Sequence, residues 1–207
     1  MHSEMPRADQ AGNPNIGLQL WVDLPKELKY CEPRYRDLRA KEIPIATVDE
    51  GKMTVKVISG QAFEVQSLRE LSYTPVWYLD FCAKPGTEFK LPLPRGWNAF
   101  CYVLDGEIVV VGGGEERACP RFSNVVFEKD GDSIEIKVEH DKEQEARFIV
   151  VAGLPLDQPV VQYGPFVATS REEVMQAVID FQTGQNGFER AANWVSENSR
   201  SRRNTIV

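Results

Sequence analysis

The stretch Ala99-Phe100-Cys101-Tyr102-Val103-Leu104-Asp105-Gly106-Glu107-Ile108-Val109-Val110-Val111 contains two apolar runs that flank an Asp-Gly pair. Short runs rich in Val, Ile, Tyr and Phe are typical of β-strands. An Asp-Gly pair between two such runs favours a two-residue hairpin, because both central positions of that turn have positive φ angles. We therefore predict two strands, over residues 99–104 and 107–111, that pair directly through Asp105 and Gly106.

Similar short runs occur on both sides of this stretch. Glycine-containing turn signals separate them, for example at residues 85–86, 112–114 and 130–132. Many short strands at this spacing predict a sandwich, a jelly roll or a barrel. The further predicted strands cover residues 53–58, 76–81, 124–127, 133–138 and 147–152.

The sequence period changes to that of a helix near residue 170. Ser170 and Glu173 form a capping box, and Gly184 is a typical helix stop. Between them one apolar stripe recurs at helical spacing, which predicts a helix that packs by one face. Its members are Val174, Ala177, Val178 and Phe181. A second, shorter helical pattern follows through Phe188, Ala191, Ala192 and Val195.

The first part of the chain has a weaker pattern. Residues 18–24 alternate apolar and polar, which predicts a half-buried strand that ends at Pro25. Such a strand needs a sheet to join, and without one it presents an exposed edge. The charged segment that follows predicts a connector with a helical turn at residues 35–40.

The charge balance limits the classes of function. The chain has 24 Lys and Arg against 31 Asp and Glu, a net charge of −7, which argues against direct nucleic-acid binding. We interpret the arginines at 200, 202 and 203 as a basic flexible tail. The longest apolar runs are far too short to span a bilayer, and the polar first fifteen residues predict no secretory signal.

The four cysteines lack metal-site spacing and are predicted to be free, buried thiols in a reducing compartment: Cys31, Cys82, Cys101 and Cys119.

His2 and Glu4 are the candidate metal ligands. On a strand their side chains would project from one face, so that an imidazole and a carboxylate could share one ion. A non-haem iron site usually needs two histidines and a carboxylate. The other histidine, His140, lies in a charged turn and is predicted to be a solvated loop residue. The pair is therefore half of a metal site.

The β region resembles a cupin, a jelly-roll barrel that binds metal through a motif of Gly, five residues, His-x-His, three or four residues, Glu, six residues and Gly. Gly86 and Gly106 fit the two glycines of this motif. Prolines 92 and 94 stand at the two histidine positions, and Asn98 or Ala99 stands at the glutamate position. The resemblance thus implies a cupin barrel without its metal site. Four aromatic residues are candidates for lining the barrel mouth: Trp77, Tyr78, Trp97 and Tyr102.

Seven longer strings, in the same order along the chain, resemble the pirin family. The resemblance implies a two-barrel cupin of the nucleus and cytoplasm that carries iron in its N-terminal barrel. Some family members act as quercetin 2,3-dioxygenases, and members are also described as transcriptional co-regulators. The strings are HSEMP at 2–6, GLQLWVDLP at 17–25, EIP at 42–44, VISG at 57–60, YLDF at 78–81, GPFV at 164–167 and NGFERA at 186–191.

The resemblance also implies the metal ligands and the domain boundaries. In the family a His-x-His pair and a later His and Glu hold the iron; His2 and Glu4 match the later pair, and the earlier pair has no counterpart in this sequence. By this comparison residues 1–44 are the last strands of the N-terminal cupin domain plus a linker. The other expected regions are the C-terminal cupin domain at 45–168, a helical segment at 169–199 and the basic tail at 200–207.

Three functions remain open from the sequence. The first is an interaction protein or transcriptional co-regulator that is metal-poor or metal-free and binds a protein partner such as a transcription-factor complex. The second is an Fe(II)-dependent quercetin 2,3-dioxygenase that acts on a flavonol-like molecule, with Glu4 as an iron ligand, if upstream sequence supplies the histidine pair. The third is a cupin that binds a small molecule at its barrel mouth. None of them involves a membrane or direct nucleic-acid binding.

Overall fold

The computed structural model describes residues 12–68, 73–142 and 144–195. They form two compact units, one of residues 30–157 and one whose described residues are 12–29 and 158–195. The candidate ligands His2 and Glu4 and the basic tail lie outside the described residues. Within the described residues, no helix is both long enough and apolar enough to cross a bilayer.

The larger unit is a jelly-roll barrel of two main antiparallel sheets, which confirms the predicted all-β cupin fold. One sheet has six strands in the order β1-β2-β5-β12-β7-β10, and the other has four in the order β6-β11-β8-β9. A short hairpin of β3 and β4 lies between β2 and β5 in sequence. The strands are Ile45–Val48 (β1), Met53–Ser59 (β2), Gln61–Ala62 (β3), Val65–Gln66 (β4), Val76–Ala83 (β5), Glu88–Pro92 (β6), Asn98–Asp105 (β7), Glu107–Gly112 (β8), Glu115–Pro120 (β9), Asn124–Phe127 (β10), Ser133–Lys137 (β11) and Ala146–Gly153 (β12).

Side chains from the inner faces of both sheets fill the barrel. Alternate residues of β5 and β7 are fully buried, as expected when one face of a strand packs on the core. Three phenylalanines stack at the centre of this core: the ring of Phe81 lies 5.2 Å from that of Phe89 and 4.9 Å from that of Phe148, centroid to centroid. The interior is therefore occupied by the protein's own aromatic and aliphatic side chains.

The predicted hairpin at Asp105-Gly106 is wrong. β7 lies between β12 and β10 in the six-stranded sheet, whereas β8 lies between β11 and β9 in the other sheet. Gly106 has a φ of +69°, but Asp105 does not have a positive φ, so the two-residue hairpin turn does not form. The chain instead passes from one sheet to the other at Gly106.

The smaller unit contains a hairpin and a helix. Strands Val161–Tyr163 (β13) and Phe166–Ala168 (β14) pair, and the helix Arg171–Thr183 (α1) packs against them. The predicted capping box is confirmed: the Ser170 hydroxyl accepts from the Glu173 amide at 3.2 Å, and the Glu173 carboxylate accepts from the Ser170 amide at 3.1 Å. The hydrogen bonds that the Glu173 carboxylate accepts from Thr169, together with that from the Ser170 amide, lower the pKa of Glu173. Gly184 ends the helix in the left-handed conformation.

Three local predictions outside the barrel strands and α1 are wrong. Residues 18–24 form no strand, because no described strand pairs with them; a strand needs a hydrogen-bonded neighbour. The helical turn predicted at 35–40 occurs instead as a short 3-10 helix at Ala40–Glu42. Residues 188–195 form turns in place of a second helix, and Phe188 packs edge-on against Phe181 with 5.5 Å between ring centroids. Phe188, the first apolar residue of that pattern, thus belongs to an aromatic cluster and not to a second helix.

Candidate functional site

The cupin metal positions in the barrel carry no metal ligands. Pro92 is exposed at the end of β6, next to the buried Leu91, and the glutamate position is occupied by Asn98 or the buried Ala99. Across residues 12–68, 73–142 and 144–195, no group of three His, Cys, Asp or Glu side chains could hold a metal ion. With His2 and Glu4, the sequence provides two of the four iron ligands that the resemblance implies. This donor set does not fit the complete four-ligand iron site.

His140 lies exposed in the turn that follows β11, as predicted for a loop histidine. Its imidazole covers Gly86, where an added Cβ would lie 2.4 Å from the ring atom Cε1. Gly86 has a φ of +78° and its amide donates to the Val138 carbonyl at 2.8 Å. Position 86, the first glycine of the cupin motif, therefore requires glycine for two reasons: its φ angle is positive, and the His140 ring leaves no space for a Cβ atom.

The four cysteines are free, and two of them are fully buried. Burial is the main cause that raises the pKa of Cys101 to about 12, and it also raises the pKa of Cys119. Burial also raises the pKa of the half-buried Cys82, and the Glu145 carboxylate, 3.3 Å from its thiol, raises that pKa further. The prediction of buried free thiols therefore holds for Cys101 and Cys119, whereas Cys31 and Cys82 are half-buried.

Alkylation tests this difference between the thiols. The thiolate is the reactive form, and at pH 8 a pKa near 12 leaves roughly one Cys101 in ten thousand ionised. We expect iodoacetamide to modify Cys31 in the folded chain and to leave Cys101 unmodified until the chain is unfolded in urea. Mass spectrometry of tryptic peptides measures both sites in one sample. Equal rates at the two cysteines in the folded chain would contradict the prediction.

An aromatic pocket lies at one end of the barrel, and it contains two of the four predicted mouth aromatics. Trp77 and Trp97 meet edge to face, with 5.9 Å between ring centroids, on the wall of an open pocket of about 470 Å³. Tyr78 and Tyr102 are absent from its lining. Tyr78 follows Trp77 on β5, so the two side chains point to opposite faces of the sheet. The prediction that all four line one mouth is wrong for the tyrosines.

Short loops position Trp77. Gly60 has a φ of +90°, and an added Cβ there would lie 2.2 Å from Cδ1 of the Trp77 ring, so only glycine fits against the indole. The Gly60 amide donates to the Ser67 hydroxyl at 2.9 Å, and the Ser59 hydroxyl donates to the Val76 carbonyl at 2.8 Å. These two hydrogen bonds hold residues 59–60 against Ser67 and Val76, which also line the pocket. Sequence inspection did not identify Gly60 as part of this site, although it stands in the pirin-like string VISG.

A charged group on β2, β5 and β12 is structural. The Arg147 guanidinium donates two hydrogen bonds to the Asp80 carboxylate, at 3.1 and 2.8 Å, and the Lys56 ammonium lies 3.5 Å from the same carboxylate. The bond to Asp80 raises the pKa of Arg147. Burial is the main cause that raises the pKa of the neighbouring Tyr78. The group joins three adjacent strands and lines none of the pockets described in this chain.

Comparison with known proteins agrees with the fold. The family described as the pirin C-terminal cupin domain matches residues 78–187. A solved structure of quercetin 2,3-dioxygenase from Acinetobacter baumannii superposes with a TM-score of 0.71 and 27% identity, covering 81% of this chain and 56% of that chain. GK1651 from Geobacillus kaustophilus gives a TM-score of 0.57 and 30% identity, covering 68% of this chain and 54% of that one.

Curated proteins match over nearly the whole chain. Human pirin is 39% identical over 198 residues, which is 95% of this chain and 65% of human pirin. A pirin-like protein from Solanum lycopersicum is 38% identical over 95% of this chain and 64% of its own length. The chain thus spans slightly less than two thirds of these relatives. The cupin barrel, the family match and these identities together show that the chain belongs to the pirin family.

Proposed function

We propose that this chain is a pirin-family interaction protein that presents the surface of its C-terminal cupin domain to a protein partner. One observation carries the proposal: the barrel interior is packed with stacked phenylalanine rings. A cupin that acts on a substrate inside its barrel needs an open cavity with metal ligands or other polar groups. In this barrel both the space and the ligand positions are taken by Phe81, Phe89, Phe148 and the prolines of the motif.

The charge and the surface of the larger unit support a protein partner. A net charge of −7 opposes contact with the phosphate backbone of nucleic acid, so a role in transcription would act through another protein. Large apolar side chains are exposed near strand β10: Phe122 is 62% exposed and Val126 is 74% exposed. Exposed apolar groups of this size are common at protein interfaces. We infer a co-regulator that binds a transcription-factor complex, in the nucleus and cytoplasm.

A binding experiment without metal tests this function. The tagged chain, stripped of metal with a chelator, is mixed with nuclear extract, and the bound transcription factors are identified and then tested as purified proteins. We expect the same factors to bind the stripped chain and the untreated chain, because the surface of the barrel does not depend on iron. Binding that appears only after iron is added back would contradict the proposal.

A second candidate function is a quercetin 2,3-dioxygenase. The superposition on a protein of that name over 81% of this chain favours it. His2 and Glu4 would then be two of the residues that hold an iron ion, which would supply the oxidation chemistry, and the remaining ligands would come from residues outside this sequence. Within the present sequence, His2 and His140 are the two histidines, and no His-x-His pair occurs.

Metal analysis separates the two functions. We expect the purified chain, dialysed extensively, to retain much less than one iron per chain, because two ligands bind a metal ion weakly. The variants His2→Ala and Glu4→Ala, with His140→Ala as the matched control, should leave this low content unchanged. One iron per chain that survives dialysis and is lost in the His2 and Glu4 variants would favour the dioxygenase.

A further inference from the structure

Strand β10 forms an unprotected edge of the six-stranded sheet. It pairs with β7 on one side, and no described strand pairs with its other side. Edge strands are commonly blocked by charged residues or proline. The edge strands of the other sheet follow this rule, because β6 contains Lys90 and Pro92 and β9 begins with Glu115. β10 contains neither a charge nor a proline, so its edge can accept another strand.

The backbone of β10 directs its polar groups alternately to β7 and to the free edge. Just before β10, residues 122–123 exchange hydrogen bonds with Val103 of β7 at 2.8 and 3.0 Å. Bonding residues alternate along an antiparallel ladder, so Val125 is the next residue that bonds to β7. The amides and carbonyls of Asn124 and Val126 therefore point away from β7. They supply the two donors and two acceptors with which an added strand would pair.

An open groove of about 730 Å³ lies beside this edge. Its apolar part contains the exposed Val126 and the half-buried Phe100, which are register partners on β10 and β7. Beyond the end of β10 the lining continues with Glu128, Lys129 and Asp130. Both of these carboxylates are exposed, and neither forms an ion pair with any residue in the described part of the chain. With two carboxylates against one ammonium, this end of the groove is acidic.

Phe122 stands before the other end of β10 in a strained conformation. Its φ is +69°, which is rare for a bulky residue, and with Ser123 it forms a bulge opposite Val103. The ring is nevertheless exposed, and the Arg121 guanidinium lies 4.5 Å from its centroid. Strain of this kind is concentrated at binding sites. Phe122 therefore offers an aromatic contact at the end of the edge opposite to the acidic residues.

We propose that β10 binds an extended segment of a partner protein as an additional antiparallel strand. Every strand pair in this sheet is antiparallel, so the added segment runs opposite to β10 and its N-terminal end lies at Glu128 and Asp130. The segment that fits has basic residues first, for the acidic end, and β-branched residues next, for Val126. Backbone pairing supplies affinity, and alternate side chains supply specificity. This inference rests on the proposed interaction function and names the partner's chemistry.

Two peptides of the same composition test the direction of the added strand. One is capped Arg-Arg-Thr-Val-Thr-Val-Thr, and the other has these residues in reverse order. We expect the first to bind the full chain about five-fold more tightly, because antiparallel pairing places only its arginines at Glu128 and Asp130. In the ¹⁵N-labelled chain, saturation with this peptide should slow hydrogen exchange of the Asn124 and Val126 amides about ten-fold or more.

Proline substitutions test the edge itself. Val126→Pro removes an outward N–H and no bond to β7, so the chain should fold and lose peptide binding. Thr47→Pro is the matched control on β1, the opposite edge of the same sheet. There the Val57 amide donates to the Pro44 carbonyl at 2.9 Å, so by the same alternation the Thr47 amide also faces outward. This control should leave peptide binding unchanged.

Phe122→Gly separates contact with the peptide from stability. Glycine adopts a positive φ without strain, so the urea midpoint of this variant should rise. Peptide binding should weaken about three-fold or more, because the aromatic contact is lost. A purely structural role of Phe122 would leave the affinity for the peptide unchanged, and that result would contradict the contact.

Four results would overturn the inference. They are no binding of either peptide, equal affinities of the two peptides, unchanged binding by Val126→Pro, and protection of the Asn124 and Val126 amides in the free chain that is lost on dilution. The last would show that a second copy of the chain occupies the edge. If Val126→Pro loses the peptide but retains the purified partner of the binding experiment above, the edge is not the partner's site and the interaction function stands. Loss of partner and peptide in this variant supports both.

Discussion

Replacement of Phe148 by alanine should lower the free energy of unfolding of the barrel by about 3–5 kcal/mol. Phe148 is fully buried on β12, and its ring stacks 4.9 Å from that of Phe81 and 6.2 Å from that of Phe89. β12 pairs with β5 on one side and with β7 on the other, so the backbone cannot easily move inward to fill the space. Urea denaturation followed by tryptophan fluorescence measures the loss.

Phe122→Ala is the matched control. Phe122 is 62% exposed, and its removal leaves no cavity, so we expect a change within about 0.5 kcal/mol. The comparison also bears on function, because the interaction proposal depends on a tightly filled barrel. A loss below about 1 kcal/mol for Phe148→Ala would mean that the interior readily adapts, and the argument for a surface function would fail.

The sequence correctly predicted seven barrel strands, β2, β5, β7, β8, β10, β11 and β12, and four of them share one physical property. β2, β5, β7 and β12 are central strands with alternating or continuous apolar side chains, so their burial is visible in the sequence. The strands that were missed lack this signal. β6 includes Lys90 and Pro92, and β9 is exposed at four of its first five residues beginning at Glu115. Pairing with a neighbouring strand, rather than a local pattern, defines them.

The candidate site, like the missed strands, depends on contacts between distant parts of the chain that no local sequence pattern reveals. Trp77 and Trp97 lie twenty positions apart, and only the folded sheet and the turn before β7 bring them together. The exclusion of Tyr78 could have been predicted, because adjacent residues of a strand face opposite sides. The family could be identified from short ordered strings, whereas the roles of His2 and Glu4 and the boundaries at 44, 168 and 199 stay predictions.

The glycines of the cupin motif have a role that does not depend on metal. Gly86 and Gly106 both have positive φ angles and both lie against other groups, His140 in one case and the backbone at 145–146 in the other. The positions between them that would carry ligands hold prolines, asparagine or alanine. The backbone frame of the motif is thus present without its donor atoms. This explains why glycine spacing identified the fold but gave no metal site.

Gly106→Ala should be among the most destabilising single substitutions in the barrel. An added Cβ would lie 2.7 Å from the Glu145 carbonyl oxygen and 2.9 Å from the Cα of Ala146, and backbone atoms cannot rotate away. The φ of +69° adds strain of about 1–2 kcal/mol for a residue with a side chain. Together with the overpacking, we expect a loss of about 3 kcal/mol in the free energy of unfolding, measured by urea denaturation.

Gly114→Ala separates these two contributions. Gly114 has a similar φ of +79° in the turn between β8 and β9, but no atom lies within 4 Å of an added Cβ. Its substitution should therefore carry only the backbone strain of about 1–2 kcal/mol. The difference between the two variants measures the contact at the point where the chain crosses between the sheets. Equal losses would show that Gly106 does not lie against residues 145–146, and a β7–β8 hairpin would again be compatible with the data.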